Sequence, residues 1–153
     1  MHSRSVILAD TLATQELGNQ LGQHWLATTA GHAAVLLLRG DLGAGKTCLV
    51  QGIARALAIA EPITSPTFAL AQHYRGGRGA LVHLDLYRLE QSAAADELFV
   101  QEEEAAGELG ALLAVEWPER LSFVPEGCWM LDLTLVDPQQ PDAGRLARLQ
   151  LPA

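Results

Sequence analysis

Hydrophobic and polar positions along the chain fall into helical, strand-like and turn-like stretches that alternate in order. Val6-Ile7-Leu8 is a short apolar run of edge-strand type, and Asp10-Thr11 offers a helix N-cap behind it. Leu12, Leu17, Leu21 and Trp25 form a loose helical stripe, predicting a helix to about Thr29 and a turn at Gly31-His32. Residues 33–39 are apolar with little alternation, as in a parallel strand buried on both faces. A glycine-rich loop follows, and then a second helix over about 46–58, with Leu49, Ile53, Ala56 and Leu57 inward.

Two prolines and three hydroxyls make residues 61–68 a polar loop. Residues 68–74 and 80–87 read as two strands of a β-hairpin about the Gly76-Gly77-Arg78-Gly79 turn. A helix over about 92–107 follows, its pattern interrupted. Residues 109–116 form another buried strand, and Pro118 is placed to open a short helix. Residues 128–136 and 145–151 read as two closing strands around a turn at 138–144. No internal repeat or low-complexity tail is visible.

Composition narrows the class. A chain of 153 residues with 49% hydrophobic and 18% charged residues is expected to be one domain, residues 1–153, with a real core. The longest apolar runs fall well short of a membrane span, and the first residues lack signal-peptide character, so a cytoplasmic, membrane-free protein is expected. Cys48 and Cys128 have no metal-ligand spacing and read as reduced core thiols. A net charge of −8 argues against tight unaided nucleic-acid binding. The acidic positions gather at Asp96-Glu97, Glu102-Glu103-Glu104 and Glu108, which is either a solvated face or a docking surface for a basic partner.

The glycine-rich loop carries the chemistry. Gly40, Gly45, Lys46 and Thr47 fit G-x-x-x-x-G-K-[ST], between a strand and a helix as the phosphate-binding P-loop requires. Glycines let the backbone curl into a nest of inward N–H groups, and the helix N-terminus adds partial positive charge. The lysine reaches outer phosphates and the threonine hydroxyl holds Mg²⁺. Asp41, Leu42, Gly43, Ala44, Gly45, Lys46, Thr47 and Cys48 are therefore the candidate nucleotide-binding run. Lys46 is the only lysine, beside nine arginines, and its charge is expected to be solvated when no nucleotide is bound.

Hydrolysis also needs carboxylates at neighbouring strand ends. Glu116 closes Leu112-Leu113-Ala114-Val115, and Asp85 lies in Val82-His83-Leu84-Asp85-Leu86-Tyr87-Arg88. Glu116 reads as a metal-side group or a strand-end cap. Asp85 reads as a site group or part of a solvated face with His83 and Tyr87. His83 reads as structural, and Trp117 as core or as a flap on the nucleotide pocket.

At these residues the chain resembles the TsaE (YjeE) family, the small ATPase of bacterial tRNA threonylcarbamoyladenosine synthesis. The resemblance rests on Gly40 to Thr47, Ser65-Pro66-Thr67-Phe68, His83 to Arg88 and Val115 to Arg120, with Ala13 to Gly18 in support. It implies an α/β fold, a single P-loop NTPase-type three-layer domain with a largely parallel central sheet and added antiparallel strands. It implies ATP and Mg²⁺ as ligands, Lys46, Asp85 and Glu116 as catalytic groups, and Thr47, Glu116 and Asp85 as metal-side groups. Thr11 and Thr14 match the part near the nucleotide base, and the Ser65 to Phe68 loop matches a switch segment. The implied partners are TsaD and TsaB, with tRNA reached only through the complex and ATP hydrolysis resetting it. Cys48 stands where a second Thr is common, and residues 93–110 are more Ala- and Glu-rich than the family pattern. A stand-alone small-molecule kinase is the competing reading, but no long arginine-bearing lid is visible. The lack of a second lysine excludes an Asn-Lys-x-Asp guanine reader, which favours ATP.

Overall fold

A computed structural model describes residues 2–29, 33–41, 43–64 and 70–152. The elements in chain order are β1 (His2–Leu8), α1 (Thr11–Thr29), β2 (Ala34–Arg39), α2 (Lys46–Ala56), β3 (Ala71–Arg75), β4 (Ala80–Asp85), α3 (Ser92–Leu109), β5 (Leu112–Glu116), β6 (Trp129–Leu135) and β7 (Arg145–Leu151). Short 3₁₀ turns lie at Pro118–Arg120 and Pro141–Ala143, each opened by its proline.

All seven strands join one sheet in the order β1-β7-β6-β2-β5-β4-β3. The inner four, β6-β2-β5-β4, run parallel. The pairings β3–β4, β6–β7 and β7–β1 are antiparallel, so the sheet is mixed. Strand alternation splits the core in two. Leu36, Leu38, Leu112 and Ala114 face one side with α1 and α2 residues such as Leu21, Trp25, Leu49 and Ile53. Leu37, Leu113 and Val115 face the other with Phe99 and Ala106 of α3. Helices therefore cover both faces, as a buried parallel sheet demands.

α1 and α2 approach unusually closely, and glycine makes this possible. A Cβ on Gly18 would lie 2.1 Å from the Leu49 carbonyl oxygen, and one on Gly52 would lie 1.9 Å from that of Gln15. The Asp10 side chain caps α1 by accepting from the Ala13 N–H at 2.8 Å. Leu12 does not belong to the buried stripe: it is 72% exposed, and Thr14, Leu17, Leu21 and Trp25 form the inner face.

α3 is continuous rather than interrupted. Its Ala- and Glu-rich sequence favours helix throughout, and exposed Gly107 is tolerated in the last turn. The helix stops at Gly110, whose positive φ lets the Ala111 N–H reach the Ala106 carbonyl at 2.9 Å. The acidic run is not all solvated face either. Glu102 is buried and bonds His73 at 2.9 Å, while Asp96 caps Ser122. α2 ends at Ala56, before Ala58 at positive φ, and the hairpin strands stop at Arg75 and Asp85. Among the described residues no helix is long and apolar enough to cross a membrane. The predicted Gly31-His32 turn and the Ser65 to Phe68 switch segment lie outside the described residues, as does Leu42.

Candidate active site

The carboxyl ends of β2, β4 and β5 open into a cleft of about 600 Å³. Its floor is the Gly43 to Cys48 stretch. One wall comes from Leu8 to Thr14 and the Pro141 to Arg145 turn, the other from Asp85, Tyr87, Arg88, Glu116 and Trp117. Crevices at carboxyl strand ends are where open α/β sheets bind ligands.

The loop's shape comes from its glycines. Gly43 and Gly45 have φ of 82° and 103°, and Gly45 caps α2 in the left-handed region. Among the described residues, a Cβ on Gly43 would meet nothing within 4 Å. The Ala44 N–H closes a turn on the Asp41 carbonyl at 3.0 Å.

Lys46 is not solvated, contrary to expectation. It is 5% exposed, and its Nζ donates to the Gly40 carbonyl at 2.6 Å. The same Nζ lies 4.0 Å from Glu116 Oε1 and 4.3 Å from the centre of the Trp117 ring. The buried ammonium folds back on its own loop and takes Glu116 at the end of β5 as its neutralising partner.

Glu116 is buried too. Its Oε2 takes the Nε2–H of His83 at 2.5 Å, and His83 is fully buried on β4. That pairing places the histidine proton on Nε2 and leaves Nδ1 without a hydrogen-bond partner among the described residues. Asp85 sits beside Glu116 in the parallel register. Burial pushes its carboxyl above the usual carboxylate range, opposed by the Tyr87 N–H, and neighbouring Glu116 pushes it further. Tyr87 N–H donates to Asp85 Oδ1 at 2.9 Å.

Trp117 follows Glu116 at φ 59°, a left-handed backbone that bulky residues rarely adopt. The Tyr87 ring stacks 4.9 Å away, and Arg120 lies over both rings while donating to the Tyr87 carbonyl at 3.0 Å.

The whole cleft lies within residues 8–145. Residues 8–143 match the family model described as threonylcarbamoyl adenosine biosynthesis protein TsaE. The chain belongs to the TsaE family. It is 46% identical over 120 residues to the tRNA threonylcarbamoyladenosine biosynthesis protein TsaE of Nostoc, covering 78% of this chain and 71% of that one. The Aquifex aeolicus TsaE is 37% identical over 119 residues, covering 76% and 78%. The crystal structure of YdiB from Bacillus shares the fold, with TM-score 0.73 at 22% identity over 99% of this chain and 87% of that one.

In this TsaE-family chain the cleft gathers most of the sequence-predicted residues. Thr11, Thr14, Gly43, Gly45, Lys46, Thr47, Cys48, Asp85, Glu116 and Trp117 all line it. Trp117 is half-buried: it packs against the core beneath α3 and also carries Lys46 Nζ 4.3 Å from its ring centre, so it serves core and cleft at once. Asp41 is exposed and Ala44 is buried; they shape the loop through their backbone. Sequence reasoning missed the pairing of His83 with Glu116, although strand alternation already placed His83 on the face of Asp85. It also missed Arg145, on a strand that carries no motif.

The raised Asp85 carboxyl makes a pH prediction. A carboxyl that holds its proton more tightly when folded contributes stability below the unfolded pKa, and that contribution is lost as pH rises through the folded pKa. At neutral pH the ionised Asp85 is therefore a net cost. Asp85→Asn is expected to raise the thermal midpoint at pH 7 in EDTA, with the gain vanishing below about pH 3.5. Thermal melts across pH check this; a lower midpoint at pH 7 would show that the charge is stabilising.

Proposed function

We propose that this chain is a Mg²⁺-dependent P-loop ATPase serving tRNA threonylcarbamoyladenosine formation. The observation that carries the reading is one cleft joining the glycine nest, the Lys46 ammonium and the adjacent carboxylates of Glu116 and Asp85. Its relatives are named as tRNA threonylcarbamoyladenosine biosynthesis proteins, and the reading extends that role to this chain.

The residues present fit the ligands. A glycine-rich loop at the head of α2 suits phosphate oxygens, and the amides and helix N-terminus supply their partners. Thr47, Glu116 and Asp85 are the groups that would hold Mg²⁺, which when bound neutralises charge on the phosphates. Lys46 exchanges the Gly40 carbonyl for a phosphate oxygen, so binding frees a carbonyl and re-aims a cation in one movement. His83 keeps Glu116 oriented. Asp85 has Oδ1 on the Tyr87 N–H and a raised pKa, which suits it to orient and accept a proton from an attacking water. Thr11 and Thr14 line the opposite wall, and the reading assigns that wall to the nucleotide base.

Among the described residues, no arginine is held over the phosphate loop by a contact to it other than Arg145, whose donors are taken up by backbone carbonyls. Arg120 is tied to the Tyr87 carbonyl and its ring, Arg145 is engaged with backbone, and Arg88 is exposed at the cleft wall. Charge developing on phosphoryl oxygens is then only partly neutralised by Lys46, and an added arginine is worth roughly 10³ to 10⁵ in rate. Docking to TsaD and TsaB completes the site, and hydrolysis resets that assembly; tRNA is met only through it. The test is steady-state phosphate release by the chain alone and then with TsaD and TsaB. Slow release, rising more than about tenfold with partners and lost in Glu116→Gln, is expected. Fast release unchanged by partners would overturn the docking reading. The absence of release under every condition would overturn the ATPase reading.

A further inference from the structure

Arg145 opens β7, two residues beyond the stretch that the family model matches. Its guanidinium is spent on four backbone carbonyls. Nε donates to Ala44 O at 3.1 Å and one terminal nitrogen to Gly43 O at 3.1 Å. The other terminal nitrogen donates to Pro141 O at 2.6 Å and Gly144 O at 3.2 Å. Two of these carbonyls belong to the glycine-rich loop and two to the turn that forms the facing wall of the cleft.

We propose that Arg145 is a positioning residue of the nucleotide site: it clamps the loop's outer peptides to the β6–β7 turn and so fixes the loop in its phosphate-binding shape. This inference rests on the nucleotide reading of the cleft. In a trans peptide the N–H lies opposite the C=O across the bond. Holding Ala44 O on Arg145 therefore turns the Gly45 N–H away from the β6–β7 turn. A loop with three positive-φ glycines has many competing shapes, so an external tie is what selects one of them. The planar fork of arginine suits four acceptors at fixed spacing; a lysine ammonium has three donors at one point and no fork.

The turn is itself anchored. Gly144 has φ 105°, and a Cβ there would stand 2.6 Å from the Leu8 carbonyl oxygen. The end of β1, the β6–β7 turn and the loop thus meet around one guanidinium, and the strands after Gly127 belong to the site as its scaffold. An arginine so engaged also cannot serve as the cation over the transferred phosphoryl.

The experiment is calorimetric titration of the full chain with a non-hydrolysable ATP analogue and Mg²⁺, beside phosphate-release kinetics. Arg145→Met and Arg145→Lys are expected to weaken binding about 10- to 100-fold, raising KM for ATP more than they lower kcat. Arg148→Met, at an exposed site on the same strand, is expected to bind as wild type. Guanidinium ions are expected to restore affinity to Arg145→Gly and not to Lys46→Ala. Wild-type affinity in a folded Arg145→Met overturns the clamp. If that variant does not fold, wild-type affinity in Arg145→Lys overturns it instead. Failure of the wild-type chain to bind the analogue would sink the nucleotide reading itself, an outcome distinct from either.

Discussion

Lys46→Ala is expected to lower kcat for ATP hydrolysis, measured with partners present, by about 10² to 10³-fold, the scale of one preorganised donor to a developing oxyanion. The structure adds a second consequence. Lys46 is buried, and truncation leaves Gly40 O without its donor and Glu116 with His83 as its remaining side-chain partner. Unpartnered buried polar groups cost about 1–3 kcal/mol, so the variant should also melt earlier while keeping its far-ultraviolet circular dichroism. Normal turnover by the variant would remove Lys46 from the chemistry. Lost turnover with an unchanged midpoint would show that the Gly40 contact carries no stability.

Gly52→Ala is expected to destabilise the fold by about 3 kcal/mol or more, against the usual sign for a helical glycine. Helix propensity alone predicts a gain of about 1 kcal/mol. Sterics oppose it: the new Cβ would stand 1.9 Å from the Gln15 carbonyl oxygen, and backbone of a packed helix cannot move aside like a flexible side chain. For a chain of this size the shift is on the order of 10 °C in thermal midpoint. Gly107→Ala is the control, because nothing among the described residues lies within 4 Å of its Cβ on an exposed helical turn. It should gain about 0.5–1 kcal/mol. Equal effects of the two substitutions would mean that α1 and α2 can part without cost.

The contrast between these two glycines shows what could be read from sequence. Period and turn chemistry found each strand, the hairpin and the loop before α2, because each depends on neighbours in the chain, although β1 begins at His2 rather than Val6 and Leu109 belongs to α3 rather than to β5. Gly40, Gly45, Lys46 and Thr47 were legible for the same reason, being a contiguous motif. Strand-end logic reached Glu116 and Asp85. It could not tell that His83 spends its Nε2 on Glu116, since that depends on the register of β4 against β5. Leu12 was misplaced because four apolar residues at loose spacing fit more than one helix face, and Thr14 took the inner position beside the loop. The role of Gly18 and Gly52 is a meeting of two helices, and Arg145 acts across about a hundred residues of chain. Neither leaves a local signature.

The burial of Lys46 makes this chain a natural reporter of its own occupancy. It is the only ε-amine among 153 residues, and it sits in the cleft folded against a carbonyl and a carboxylate. Amine-directed acylation should therefore modify one side chain, slowly in the empty cleft, and more slowly still once phosphate covers it. A single peptide mass then reads nucleotide residence without any engineered label, and does so inside a mixture with partner subunits.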